Sequence, residues 1–209
     1  MAFKDMNIQD FVALLGSDAP APGGGAGAGL GAALGIALSE MVCSLTINSK
    51  KYEGEWAFAK EAKEKCRELE TAFLAAMDED AAAYSKVSAA YKLPKDTEDD
   101  KTARSAAIQE SLLICVQPPM KLMELGLSAL ELTDSLLGHT TVMAVSDIGV
   151  AALELGAAVR SAWLNVLINI GSIKDKMVAE EYRGKGEKIL YASQKLSEEI
   201  YKDVIKHLV

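Results

Sequence analysis

The run "PAPGGGAGAGLGAALGIAL", residues 20–38, constrains the fold more than any other part of the chain. Gly23, Gly27, Gly31 and Gly35 recur four residues apart, so within a helix they stack along one face. Glycine inside a helix costs about 0.5–1 kcal/mol relative to alanine. Several on one face need a compensating contact, and the missing Cβ permits one: a second helix or a flat ligand can reach the backbone. Gly23, Gly24 and Gly25 fall where such a helix begins, and its first N–H groups there suit an anion or a carbonyl oxygen. Tight helix packing or a dimer seam explains the stripe at least as well as a ligand does. The run is not a nucleotide fingerprint, since it lacks a preceding strand and the Gly-Lys-Ser/Thr ending of a P-loop.

Nor does it read as a targeting segment. A signal peptide carries positive charge before its apolar run, whereas Asp5, Asp10 and Asp18 precede this one. A spanning helix needs about 20 strongly apolar residues; here Gly and Ala dominate and Glu40 follows soon after. The expectation is a cytoplasmic chain with no membrane association. Its 209 residues, half of them apolar, suffice for one globular domain with a substantial core. A net charge of −8 argues against nucleic acid as a partner and requires any anionic ligand to find a local basic patch. Cys43, Cys66 and Cys115 are widely spaced without a CxxC, and both histidines are isolated, so reduced thiols and no metal site are expected.

Helical periodicity fills almost everything between the prolines and glycines. Ile8, Phe11, Val12 and Leu15 mark a short first helix, and a second runs from the glycine loop to about Thr46. A third extends to Leu93-Pro94, its apolar row including Phe58, Cys66, Phe73, Met77, Tyr84, Val87 and Tyr91. Thr97 with Asp100 signals the start of a fourth, which Gln117-Pro118-Pro119 should break or kink. Ser146-Asp147 would cap a nearly all-apolar helix through Ile173, and a last helix spans about Asp175 to His207. Strand patterns are lacking. The chain therefore reads as one all-α bundle of five to six helices over residues 1–209.

Five segments in order carry a resemblance: the glycine run, "NSKKY", "MDEDAAAY", "KLPKDTEDDKTAR" and "SDIGVAA…NVLIN". Together they resemble the cyclodeaminase/cyclohydrolase family across essentially the whole chain. That family includes the cyclodeaminase half of formiminotransferase-cyclodeaminase and free-standing methenyltetrahydrofolate cyclohydrolases. The resemblance implies an all-α homodimer acting on a tetrahydrofolate derivative, polyglutamylated or not, with no metal or further cofactor. Two reactions are open: 5-formimidoyltetrahydrofolate to the 5,10-methenyl form with loss of ammonia, or interconversion of the methenyl form with 10-formyltetrahydrofolate. The lack of a transferase domain within these residues tilts the expectation towards the cyclohydrolase. A non-catalytic folate-binding or partner protein, or a same-fold enzyme of altered substrate, is the alternative. Two departures bear on this. Asn48 replaces a usual glycine, and "GHTTVMAVSD" has Thr141 and Met143 where the family pattern has asparagines.

Either reaction breaks a C–N bond at the one-carbon bridge and needs a carboxyl that both takes and gives a proton. "MDEDAAAY" offers three, but consecutive side chains diverge by about 100° on a helix, so Asp78, Glu79 and Asp80 cannot share one site. The family pattern, an acid followed by small residues and an aromatic such as Tyr84, selects Asp80 as the proton-transfer residue; by charge pattern alone the turn would be solvated. Asn165 and Asn169, one turn apart on an apolar helix, serve either helix-to-helix hydrogen bonds or a pterin edge. Asp147 is either a cap or a second catalytic group. Lys50 and Lys51 either complement a helix C-terminus or hold the glutamate tail, beside Gly23, Gly24 and Gly25 as substrate-binding candidates. Arg160 could serve similarly, and His139 has no role that the pattern requires.

Overall fold

A computed structural model describes residues 2–209, and among them there are helices and turns but no strand. The helices are α1 (Ile8–Leu15), α2 (Gly24–Ile47), α3 (Trp56–Tyr91), α4 (Glu98–Cys115), α5 (Gln117–Ser135), α6 (Val145–Ile170) and α7 (Lys176–Leu208). Six are long and α1 is short, so the all-helical expectation holds and the count exceeds it by one. The extra helix comes from the prolines. They break the chain outright after Cys115, and Pro118 and Pro119 then sit in the first turn of α5, where a missing N–H leaves no helical bond unmade.

Local chemistry sets most other boundaries. Asn7 accepts from the Asp10 N–H, Thr97 and Asp100 form a reciprocal capping box, and Asp175 accepts from the N–H groups of Met177 and Val178. One expectation fails. Ser146 and Asp147 do not cap α6; the helix starts a turn earlier, after Ala144, with no side-chain cap, and Asp147 lies inside its first turn.

Residues from α2 to α7 pool their apolar faces in one contiguous cluster, with Phe73, Ile36, Met123, Leu155 and Ile200 among its fully buried members. A small satellite of Phe11, Ala26 and Met77 seats α1. All three cysteines are buried and free. Helices α2 and α6 are each long and apolar enough to cross a membrane by length and composition, yet here they lie side by side in the middle of the bundle. They run antiparallel: Gly24 adjoins Asn165 at one end, and the Thr141 N–H donates to Thr46 Oγ1 (3.0 Å) at the other.

The glycine run separates into two faces, and the conspicuous row is packed only at its end, Gly35. At Gly29 a Cβ would stand 3.0 Å from Met77 Cγ and 3.1 Å from the Phe73 carbonyl, so α3 needs that glycine. At Gly35 it would stand 2.9 Å from Leu155 Cγ, so α6 needs this one. Gly27, by contrast, faces open space, and Gly31 meets only Glu154 Oε2 at 4.0 Å. The four-residue row is thus largely the floor of a groove between α2 and α6.

A matched pair on α7 tests how such contacts act. A Cβ at Gly186 would overlap the buried Trp163 ring, whereas Gly184 faces nothing. Gly184→Ala should stabilise by about 0.5–1 kcal/mol through helix propensity. Gly186→Ala should lose about 1–3 kcal/mol to overpacking against that gain. Denaturant midpoints of the two variants moving in the same direction would contradict the assignment.

Candidate active site

Helix α3 turns the three acids of "MDEDAAAY" to three different tasks. Asp78 Oδ1 accepts the backbone N–H of Phe3 (2.7 Å) and so ties down the N-terminal turn. Glu79 pairs with Lys121 of α5 at 3.2 Å. Asp80 has no hydrogen bond or ion pair among the described residues, and its carboxyl lies against the first turn of α2. A Cβ at Gly25 would overlap all three carboxyl atoms. That glycine is therefore the space the carboxyl occupies. Burial lifts the Asp80 carboxyl above the usual carboxylate range, because the charged form loses water that no partner replaces.

The carboxyl opens into a pocket of about 410 Å³, of a size that suits a small organic ligand. Asp80, Tyr84, Val87 and Tyr91 make one wall, at successive i, i+4, i+7 and i+11 positions of α3. Tyr84 and Tyr91 are about half exposed, so at these two positions the apolar row read as core borders the pocket instead, while Val87 between them stays buried. Pro20, Gly23 and Gly24 close the loop side, Leu112 and Cys115 the α4 side, and Asn165, Ile168 and Asn169 the α6 side. Burial, with the Asp80 charge beside it, pushes the Cys115 thiol up to about 11, so it is a protonated wall residue rather than a nucleophile.

Both asparagines belong to this pocket, and their amide N–H groups are already committed. Asn165 Nδ2 donates to the Ser161 carbonyl (2.9 Å); Asn169 Nδ2 donates to the carbonyls of Asn165 (2.8 Å) and Cys115 (3.3 Å). Their Oδ1 atoms have no donor from the chain among the described residues, which leaves two acceptors for N–H groups of a ligand. The helix-to-helix role falls to Asn169 alone, through Cys115 at the end of α4, while the Asn165 amide bonds within α6; in both, the opposite end of the amide is left for a ligand.

The rim is basic, through residues that sequence reasoning missed. Arg104 donates to the Tyr91 carbonyl (3.0 and 3.3 Å) and stacks on the Tyr91 ring at 5.6 Å. Lys174 donates to Ser105 Oγ, next to Ser172 at the pocket edge. Neither cation has an acidic partner among the described residues. "KLPKDTEDDKTAR" held Arg104 in view, but only the return of α4 past the end of α3 brings it to Tyr91.

Lys50, Lys51 and Asp147 are not gathered here. Lys50 and Lys51 lie in the short 3₁₀ turn Lys50–Glu55 beyond the far end of α2, about 35 Å of helix from Gly24. Asp147 is about 27 Å along α6 from Asn165. His139 shares that distant end, where its Nδ1 lies 3.1 Å from Glu55 Oε2 and its ring tilts against Phe58. Thr141 is buried there, and Met143 is almost fully exposed. Arg160 lies midway along α6, on the surface.

Among the described residues, fold and pocket define an all-α protein with a cavity of small-molecule size, built around an unpaired carboxyl and two amide acceptors. The chain belongs to the formiminotransferase-cyclodeaminase family, whose pattern matches residues 7–188. It is 37% identical to a methenyltetrahydrofolate cyclohydrolase of Methylorubrum extorquens, over 94% of this chain and 95% of that protein. A formimidoyltransferase-cyclodeaminase of Rattus norvegicus is 31% identical over 89% of this chain, which spans only 34% of that longer protein. The crystal structure of a formiminotetrahydrofolate cyclodeaminase from Thermotoga maritima superposes with a TM-score of 0.80 at 25% identity, covering 98% of this chain and 96% of that one.

Proposed function

We propose that this chain is a folate enzyme acting at the N5/N10 bridge of tetrahydrofolate, first as a methenyltetrahydrofolate cyclohydrolase. The observation that carries this reading is the unpaired Asp80 carboxyl, lifted by burial and aimed into the pocket beside two amide acceptors. In hydrolysis, water adds to the electrophilic bridge carbon of the methenyl cation and Asp80 takes the proton released. The C–N5 bond then breaks as the added hydroxyl becomes the formyl carbonyl, N5 receives the proton held by Asp80, the hydroxyl proton passes to solvent, and 10-formyltetrahydrofolate leaves. A carboxyl whose pKa sits above its ordinary range suits both transfers. The Oδ1 atoms of Asn165 and Asn169 accept pterin N–H groups, Gly23 and Gly24 let the ring approach the α2 backbone, and Gly25 makes room for the Asp80 carboxyl.

These steps move protons and C–N bonding electrons only, so the reaction asks for no metal and no redox cofactor. Arg104 and Lys174 supply the positive field for the glutamate tail, the role first assigned to Lys50 and Lys51. We place the enzyme in the cytoplasm, as a homodimer that engages neither membrane nor nucleic acid.

The Thermotoga likeness favours a second reading on the same groups, the cyclodeaminase. There N10 attacks the formimidoyl carbon, Asp80 relays the N10 proton, and ammonia departs. An absorbance time course separates the two. Loss of the methenyl band well above the spontaneous rate shows the cyclohydrolase, and its appearance from 5-formimidoyltetrahydrofolate with ammonia shows the cyclodeaminase. If neither trace moves, the functional reading fails. In the same assay Arg104→Ala should raise KM more for a polyglutamylated substrate than for the monoglutamate; an equal change would remove the tail role.

A further inference from the structure

Helix α4 fastens two edges of the pocket with polar side chains that do not line it. Arg104 holds the end of α3 through the Tyr91 carbonyl. Ser105, Gln109 and Leu112 share one row of α4, at i, i+4 and i+7, and Leu112 is a pocket wall. From that row Gln109 meets the loop between α6 and α7 with both ends of its amide. Its Nε2 donates to the Ser172 carbonyl (3.1 Å), and its Oε1 accepts from the Lys174 N–H (2.7 Å). These two backbone groups flank Ile173, which is buried in the core. One turn earlier, Ser105 Oγ accepts from the Lys174 ammonium (2.5 Å).

The amide fits this loop in one orientation only. Turned over, it would set its NH₂ against the Lys174 N–H and its oxygen against the Ser172 carbonyl. No nearer group replaces it. The other backbone bonds of the loop run from Gly171, Ser172 and Ile173 to the last turn of α6, and they merely finish that helix. Burial of Ile173 holds the loop down, but apolar contact is non-directional and leaves its rotation free. Asn169 crosses the same seam in the opposite sense, from α6 to the Cys115 carbonyl of α4. Ser172, beside Asn169 at the pocket edge, is therefore fixed from both helices.

We propose that Gln109 is a positioning residue for the folate reaction: it clasps the Ser172–Lys174 segment across the rim and so aims the Lys174 ammonium at the glutamate tail. Gln109 itself touches no substrate. A lysine stem is flexible, and ordering it on binding costs affinity unless its backbone is already set. The point matters in a chain of net charge −8, where a polyanionic tail depends on a few well-placed cations at the rim. The aim towards a tail rests on the folate reading of the pocket; the clasp does not.

Gln109→Met tests both parts, because methionine keeps the length and helix propensity of glutamine and removes its two polar ends. With a polyglutamylated methenyl substrate, KM should rise about five- to tenfold while kcat stays within about twofold. The rise should be smaller with the monoglutamate. Lys174→Met should show the same preference for tail length, and adding Gln109→Met to it should do almost nothing further. Multiplying KM effects, or a fall in kcat at native KM, would overturn the positioning role. Amide hydrogen exchange reads the clasp without any substrate. The Lys174 N–H should exchange at least about tenfold faster in Gln109→Met, with the amides of α4 and α6 unchanged. Equal exchange would overturn the clasp, and native KM in a variant whose Lys174 amide exchanges freely would overturn its role in binding. Gln109→Ala should repeat both results. If the wild type turns over neither folate, the folate reading fails, and exchange alone then decides whether Gln109 holds the loop.

Discussion

Asp80→Asn should fold as the native chain does and lose turnover by about 10²–10⁴-fold, the range that general acid–base groups contribute. Asparagine keeps the shape of the carboxyl against Gly25 but neither takes nor gives the proton. KM should change little, because binding rests on Asn165, Asn169 and the walls. Stability should move the other way. A carboxyl raised above its unfolded value contributes stability that is complete below that ordinary value of 3.8 and lost as pH rises through the folded one. At neutral pH the charged Asp80 is thus a burden on the fold, and the amide relieves it. Thermal midpoints should show Asp80→Asn at or above wild type at pH 7, the difference closing towards pH 4. The acid limb of the wild-type kcat profile should sit above the ordinary carboxylate range and vanish from the residual activity of the variant. Wild-type turnover in Asp80→Asn would remove the carboxyl from the reaction.

Short-range chemistry was legible in the sequence, and pairing between helices was not. The caps at Thr97 and Asp175 depend on neighbours within three residues, so sequence alone places them. The divergence of Asp78, Glu79 and Asp80 follows from helix geometry, but which acid faces the pocket depends on Phe3 and Lys121, distant in sequence. Only the family resemblance singled out Asp80. Lys50, Lys51 and Asp147 show the converse failure. They lie near site motifs in sequence order, yet α2 and α6 are long, and 24 and 26 residues of helix carry their ends to opposite poles of the bundle. Tyr91 was read as core from its period, which tells which face it occupies and not whether the next helix covers it. The regular Gly27–Gly31 row drew notice because regularity is visible in sequence; the glycines under steric demand, Gly25 and Gly29, are recognisable only once α3 is in place.

Gly25→Ala should cost activity out of proportion to stability. The added methyl overlaps the Asp80 carboxyl rather than backbone, so the side chain can rotate away and α2 need not move. Helix propensity then returns about 0.5–1 kcal/mol, and the denaturation midpoint should hold or rise slightly. The displaced carboxyl no longer meets the bridge carbon in line. A misplacement of about 1 Å can cost about 10²-fold in rate, so kcat should fall by that order. Because the methyl acts through Asp80, it should do almost nothing further in an Asp80→Asn background, and the double variant should match Asp80→Asn alone. Additive losses in that cycle would mean that Gly25 serves the substrate directly, through the open backbone of the first α2 turn. A Gly25→Ala enzyme with native kcat would mean that the carboxyl does its work from elsewhere than the start of α2.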